Sequence, residues 1–446
     1  MGYLPKNIVV GFCSIALLFG DSEVYGTETA ASSGNFRNPY AVQKVLSGKE
    51  PVANAAWWGF HSSDSTQAIQ NAINSGARTV IIPYMGRDWV VQPIKLASNQ
   101  NIIFEPGVVV IAKEGAFKGT FEQLFSASGL SNITLQGYGA ALRMRKDDYK
   151  SSRYTKSEHR HAVQFLGCNN ISIIGLRLES SGGDGIYLGS TRDKHTLPCK
   201  NVLIKDCICD DNYRGGIGVA SVNKLRIENC VLSNTDGTMP ATGIGLEPND
   251  WVDMLVDVVI RDCIAKNSGG SGFIASISNL NATSREVSIL FVNCYARDCG
   301  QSGLRARVVN KGRRPKGLIE FRNCTSENTS YPGALVHWEK TDSPLKLRFS
   351  NCKFRNVGTR YNQVPIGLTL RRKKAASQTG QIEFINCYVY DSKNRPFLRI
   401  TDDGAGEGIY DVKGNINVFN PYGAKIDLGT TDEKLSLKAK SFTLQE

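Results

Sequence analysis

Between residues 158 and 247 the chain carries side chains suited to acid–base work, His161, Asp184 and Glu247, among others suited to holding a substrate, Glu158, Arg160, Gln164, Tyr187 and Arg214. Two carboxylates in different surroundings can divide such work, one holding a proton while the other stays ionised. Glu247 and Asp184 are the expected pair. His161 closes the run Glu158-His159-Arg160-His161, and an imidazole near its solution pKa can serve as acid or base. Arg214 offers a fixed cation beside them, although it can equally brace Asp210 or Asp211 as a surface ion pair. Further along, Arg305, Arg307, His337 and Arg371 form a cationic track that would hold carboxylates or sulfates through charge-assisted hydrogen bonds. The sequence has no CxxC pair and no calcium-loop pattern, so no metal or other cofactor is expected; Ca²⁺ stays formally open without a ligand motif.

Such residues are useful only if something brings them to one face, and a repeat does so. From about residue 160, an apolar strand ending in Asn-Cys or Asp-Cys alternates with a second strand opened by glycine. The glycines are Gly185, Gly216, Gly243, Gly272, Gly303, Gly333 and Gly367, stepping by 27 to 34 residues. Short strands at that period, with no helical periodicity between them, are a solenoid signature. Propeller blades need more residues and several hairpins per repeat. The predicted fold is therefore all-β, a single-stranded right-handed parallel β-helix.

Alternation within each strand then sorts inside from outside. With Ile186, Ile217, Ile244, Phe273, Leu304, Ala334 and Leu368 inward, one outward column holds Tyr187, Gly218, Gly245, Ile274, Arg305, Leu335 and Thr369. A second holds Gly189, Ala220, Glu247, Ser276, Arg307, His337 and Arg371, while one coil earlier Gln164 faces outward and His161 stands level with Asp184. The small residues predict a depression around Glu247, with Asp184 at its rim. Coils stack about 4.8 Å apart, which puts Asp184 and Glu247, two coils apart, within about 10 Å. Asp184 before Gly185 is also ordinary turn chemistry.

The capped helix near residue 64, the Asn-Cys ladder, and the segments Ser181-Gly182-Gly183-Asp184-Gly185-Ile186-Tyr187 and Gly243-Ile244-Gly245-Leu246-Glu247-Pro248-Asn249 resemble the pectate-lyase-like β-helix superfamily, and within it the polysaccharide-active right-handed β-helix repeat proteins. The resemblance spans residues 57–400. It implies a polysaccharide partner, and, across that superfamily, a hydrolase, a lyase, an epimerase or a binding protein. Glycoside hydrolysis with Glu247 and Asp184 as the carboxylate pair is the first expectation. β-Elimination from a uronate, using the arginines and a histidine, is the second, and a non-catalytic glycan-binding or adhesin helix the third.

The net charge of +12 suits an acidic uronate or sulfated polysaccharide better than nucleic acid in an exported protein. Export is read from Lys6 and the apolar run of residues 7–20, too short to span a bilayer, with small residues near Gly26. The expected organisation is a signal peptide over 1–26, a lead-in over 27–56, the β-helix over 57–400 and a C-terminal cap and tail over 401–446. The mature protein is expected at the cell surface, in a periplasm or in the medium, without stable membrane insertion. A helix capped by Ser63 or Asp64, with Ala68, Ile69, Ala72 and Ile73 on its apolar face, is expected to cover the open end of the core. Seven of the 12 cysteines follow the repeat, so stacked buried thiols are expected rather than disulfides.

Overall fold

A computed structural model describes residues 36–191, 196–309, 315–339, 345–360, 362–371, 378–402 and 409–427. The expected signal peptide, Cys13 and most of the tail lie outside the described residues. The chain winds as a parallel β-solenoid of about 11 turns in which all strand pairings join one coil to the next. Each full coil supplies three strands. Two run in one sheet, which starts at Val52–Asn54 and Thr79–Ile82 and ends on Ile409–Phe419. The third strands form a separate 12-stranded ladder from Ile94–Lys95 to Ile426–Asp427. That ladder is the face on which the outward columns lie.

The Asn-Cys pairs are corners. The residue before each cysteine takes the left-handed conformation: Asp206, Asn229, Asp262, Asn293, Asn323 and Asn351 all have φ between 52° and 56°. Asn and Asp tolerate that region better than other side-chain-bearing residues because a short polar group can bond locally. Here the amides bond one coil to the next, Asn293 Nδ2 donating to Asp262 Oδ1 at 2.9 Å and Asn351 Nδ2 to Asn323 Oδ1 at 3.1 Å. The turn throws the following cysteine inward, and Cys207, Cys230, Cys263, Cys294, Cys324, Cys352 and Cys387 are free and buried. Beside them Phe291, Phe321, Phe349 and Phe384 stack at 4.6–5.2 Å, the spacing of the coils themselves.

The core opens on the helix Thr66–Asn74, which buries Ala68, Ile69, Ala72 and Ile73. Its N-cap is Ser65, one residue beyond the expected cap, while Asp64 accepts from the Thr66 backbone N–H at 3.0 Å. The lead-in is structured: it contains a further helix, Pro39–Leu46, capped by Asn38, and the strand Val52–Asn54, which pairs with Thr79–Ile82. At the other end the coils continue past residue 400 through Leu398–Asp402, Ile409–Phe419 and Ile426–Asp427.

One register differs from the expected columns. Ala334 pairs with Ile366, not Leu368, so Gly367 faces outward beside Leu335, Thr369 pairs with His337, and Arg371 pairs with Glu339. Pro365 stands where the other coils have their opening glycine, its carbonyl accepting from Gly333 N–H at 2.8 Å. Proline presets φ and has no N–H to place, so it can open a strand as glycine does, and the sequence marker moves by two residues.

Candidate active site

The centre of the site is a single guanidinium. Arg214 precedes the strand Gly215–Val219, and its fork faces three carboxylates. Nη1 donates to Asp184 Oδ2 at 3.2 Å and Oδ1 at 3.4 Å, Nη2 donates to Glu247 Oε2 at 3.0 Å, and Nε lies 3.8 Å from Glu158 Oε1. Asp210 and Asp211 are taken elsewhere, by Arg177 and Lys146, so Arg214 does not brace them.

Asp184 pairs with Gly215 across one rung, and glycines make the space for its carboxylate. A Cβ on Gly215 would lie 2.5 Å from Oδ1, and one on Gly218 2.5 Å from Oδ2. A Cβ on Gly185 would instead meet Cys209 Sγ in the core, so Asp184 projects to the outer face. It is nevertheless fully covered, with a side-chain exposure of 0%. Glu247 and Glu158 keep 27% and 39% of their side-chain surface. The anticipated depression is thus filled: the Tyr187 ring lies over Gly189 and Gly218, whose Cβ positions would come within 2.9 and 3.3 Å of it.

Tyr187 stacks in turn on His161, ring centroids 4.6 Å apart and planes 8° from parallel. Its hydroxyl accepts from Asn249 Nδ2 at 3.0 Å. His161 is buried; its Nδ1 accepts from the Asp184 backbone N–H at 2.9 Å and lies 3.4 Å from Asp184 Oδ2. Burial, then the nearby Arg214 and His159, hold the imidazole well below its usual pKa, so it is neutral, with Nε2 carrying the proton opposite the accepting Nδ1. For Asp184 burial outweighs the lowering effect of Arg214, and its pKa is pushed up to about 7. Arg214 is raised further still above its usual value, first by Asp184. The cluster therefore keeps a permanent cation in contact with a carboxyl group that is half-protonated near neutrality.

The paired glycines Gly182 and Gly183 let the segment around residue 160 lie flush on this edge. A Cβ on Gly183 would lie 2.7 Å from the Glu158 carbonyl and 2.8 Å from His161 Nδ1. Arg160 does not reach the face. It is fully buried, bonded to the carbonyls of Phe117 and Thr155, at 2.8 and 2.5 Å, and acts as a strut. Gln164 stands on the outward column one rung before Tyr187. Two rungs beyond Gly245 and Glu247 come Arg305, bonded to Gln301 Oε1 at 2.8 Å, and Arg307, 3.3 Å from Ser278 Oγ. Burial lowers Arg305, and Arg307 adds to the effect. His337 lies on the next rung; Arg371 is displaced by the register just described.

Asn249 was not anticipated, although it closes one of the motifs that carry the resemblance. Its loop is tied by Asp253, which accepts from the backbone N–H of Asn249 and Asp250 and from Ser190 Oγ at 2.7–3.0 Å. Phe121, exposed and stacked on His159 at 4.9 Å, is a second residue without a sequence signal, because it lies outside the countable repeat.

Residues 140–289 match the model of the right handed beta helix region family. No curated protein matches. Among solved structures, the A-module of mannuronan C-5 epimerase AlgE6 from Azotobacter vinelandii aligns over 88% of this chain and 99% of its own, at 15% identity and a TM-score of 0.62. The family 28 exopolygalacturonase of Yersinia enterocolitica aligns over 89% and 78%, at 12% identity and a TM-score of 0.51. The Dettilon tailspike protein aligns over 84% and 68%, at 12% identity and a TM-score of 0.55. At these identities the likeness is one of fold.

Proposed function

We propose that this right-handed parallel β-helix is an exported carbohydrate-active enzyme that hydrolyses glycosidic bonds of an acidic polysaccharide at the face around Arg214. The observation that carries the reading is the joining of three carboxylates by one guanidinium, two of them accessible and the third with a pKa of about 7. Hydrolysis needs one carboxyl group to protonate the leaving oxygen and one to attack or to activate water. Glu247, fixed at 3.0 Å from Arg214, suits the second role, and Glu158, more exposed and more loosely held, the first. Asp184 lies beneath them and acts through Arg214, orienting the fork. Arg305 and Arg307, about 10 Å along the helix from Glu247, would take a carboxylate or sulfate of the chain. A mannuronan epimerase and an exopolygalacturonase among the neighbours, both named for uronate polymers, lend support to a carbohydrate partner.

β-Elimination is the second reading, and Tyr187 favours it: its phenol, held by Asn249, can protonate a leaving oxygen, with Arg214 to neutralise a uronate and Glu247 to take the proton. Uronate-rich and sulfated polysaccharides, assayed for new reducing ends and for the ultraviolet absorbance of an unsaturated uronate, decide between them. Reducing ends without absorbance support hydrolysis and absorbance supports elimination. Binding without either product would leave a glycan-binding helix.

A further inference from the structure

A cavity of about 420 Å³ adjoins the Arg214 cluster and takes no part in the chemistry above. Lys146, Tyr149, Lys150, Lys156, Ser157 and Tyr213 line it. Three segments that build the active face also build this cavity: Ser157 precedes Glu158, Gly182 lies two residues before Asp184, and Tyr213 precedes Arg214. The two sites are therefore contiguous.

The walls are held rigidly. The Tyr149 ring packs on Gly182 so closely that a Cβ there would come within 2.6 Å of it. Tyr149 and Tyr154 meet edge-on at 5.2 Å, and the buried guanidinium of Arg160 stands 5.2 and 5.9 Å from their centroids. Arg160 Nη1 has no hydrogen-bond partner among the described residues, while the rest of the guanidinium is held by backbone carbonyls and the two rings. Of the lysines, Lys146 is buried and paired with Asp211, and Lys150 is paired with Asp147 at the exposed rim. Lys156 is exposed and pairs with no carboxylate among the described residues. No acidic residue lines the cavity.

Aromatic walls, hydroxyls and an excess of cation are the chemistry that accepts a sugar ring bearing an anionic substituent. Building on the polysaccharide reading above, we propose that this cavity is a subsite for an anionic sugar unit, a uronate or a sulfated sugar, next to the bond-breaking face. Its lysines select charge, and its tyrosines take the ring.

Titration of the whole protein with methyl galacturonide, glucose 6-sulfate and methyl glucoside separates the possibilities, since each probe is a single unit. One or both anionic probes should bind at least about tenfold more tightly than methyl glucoside, and Lys150→Ala/Lys156→Ala should weaken that binding by about tenfold. Lys346→Ala and Lys353→Ala, at two exposed lysines of the other sheet, should leave it unchanged. Which anionic probe binds identifies the substituent. Equal binding of methyl glucoside, an unaffected lysine double variant, or no anionic binding up to about 10 mM would each overturn the subsite. An active-face failure is seen separately: full turnover in Glu247→Gln would sink the reaction proposed above while these titrations still stood.

Discussion

The carboxylate of Asp184 occupies the space that a side chain at Gly218 would fill, its Oδ2 lying 2.5 Å from the ideal Cβ position of that glycine. Gly218→Ala must therefore move Asp184, and with it the Arg214 fork. Overpacking of this kind costs about 1–3 kcal/mol of stability. A displacement of even about 1 Å at a catalytic group can cost about 100-fold in rate. The expected result is a folded protein with slightly lowered Tm and a large loss of turnover, measured by calorimetry and by reducing-end release on the same preparation.

Arg214→Ala leaves Asp184 buried without its cation, which would cost about 3–5 kcal/mol if the carboxyl stayed charged. It can escape by taking up a proton, so the loss should be small in mild acid and grow as pH rises above 7. Arg214→Lys keeps the charge but not the fork that spans Asp184 and Glu247. It should recover most of the stability and little of the activity; equal recovery of both would contradict the bridging role.

Stability against pH tests the two buried groups together. Asp184 binds its proton up to about pH 7 in the folded state but only to its ordinary value of 3.8 when unfolded. Its contribution is therefore fully present below that value and is lost as pH rises towards 7. His161 behaves oppositely: its folded pKa lies well below 6.5, so its contribution is present above 6.5 and lost as pH falls. Each slope is about 1.4 kcal/mol per pH unit, and just below pH 6.5 the two oppose each other. Asp184→Asn should unmask the histidine slope, stability there rising with pH in denaturant titrations. A flat profile in the variant would show that His161 protonates freely.

The corner ladder makes a purely structural prediction. Asn323, at φ 54°, accepts from Asn351 Nδ2 and donates to Asn293 Oδ1. Asn323→Ala should cost about 1–2 kcal/mol from the left-handed backbone alone, in addition to the ladder bonds. Asn323→Gly removes the same bonds without the backbone penalty, so urea midpoints for the two variants should separate the terms. Identical losses would mean that the turn conformation is not what selects asparagine.

How much of this was readable in advance depends on what repeats. The cysteine, asparagine and glycine ladders recur because each coil meets the same environment, and their period and inside–outside sense can be read directly from residues such as Ile217 and Ile244. Counting glycines failed at Gly367, where Pro365 does the same geometric work. Residue types also brought Asp184, Glu247, His161 and Arg214 together correctly as neighbours, since rung alignment fixes which side chains face one another. Depth was not legible. Nothing in the sequence says that Tyr187 folds over Gly218, that Asp184 ends wholly covered, or that Arg160 turns away to serve the Phe117 and Thr155 carbonyls. Those outcomes depend on side-chain packing between segments far apart in the chain, and the same holds for Asn249 reaching back to Tyr187.

The most direct test of the account is the Glu247→Gln variant on an acidic polysaccharide that the unaltered protein cleaves. The change is isosteric and sits on a partly exposed side chain, so folding should be preserved. Reducing-end release should fall by about 100-fold or more, with polysaccharide affinity retained within a few-fold. Undiminished release of reducing ends would contradict the assignment of this face as the site of bond cleavage.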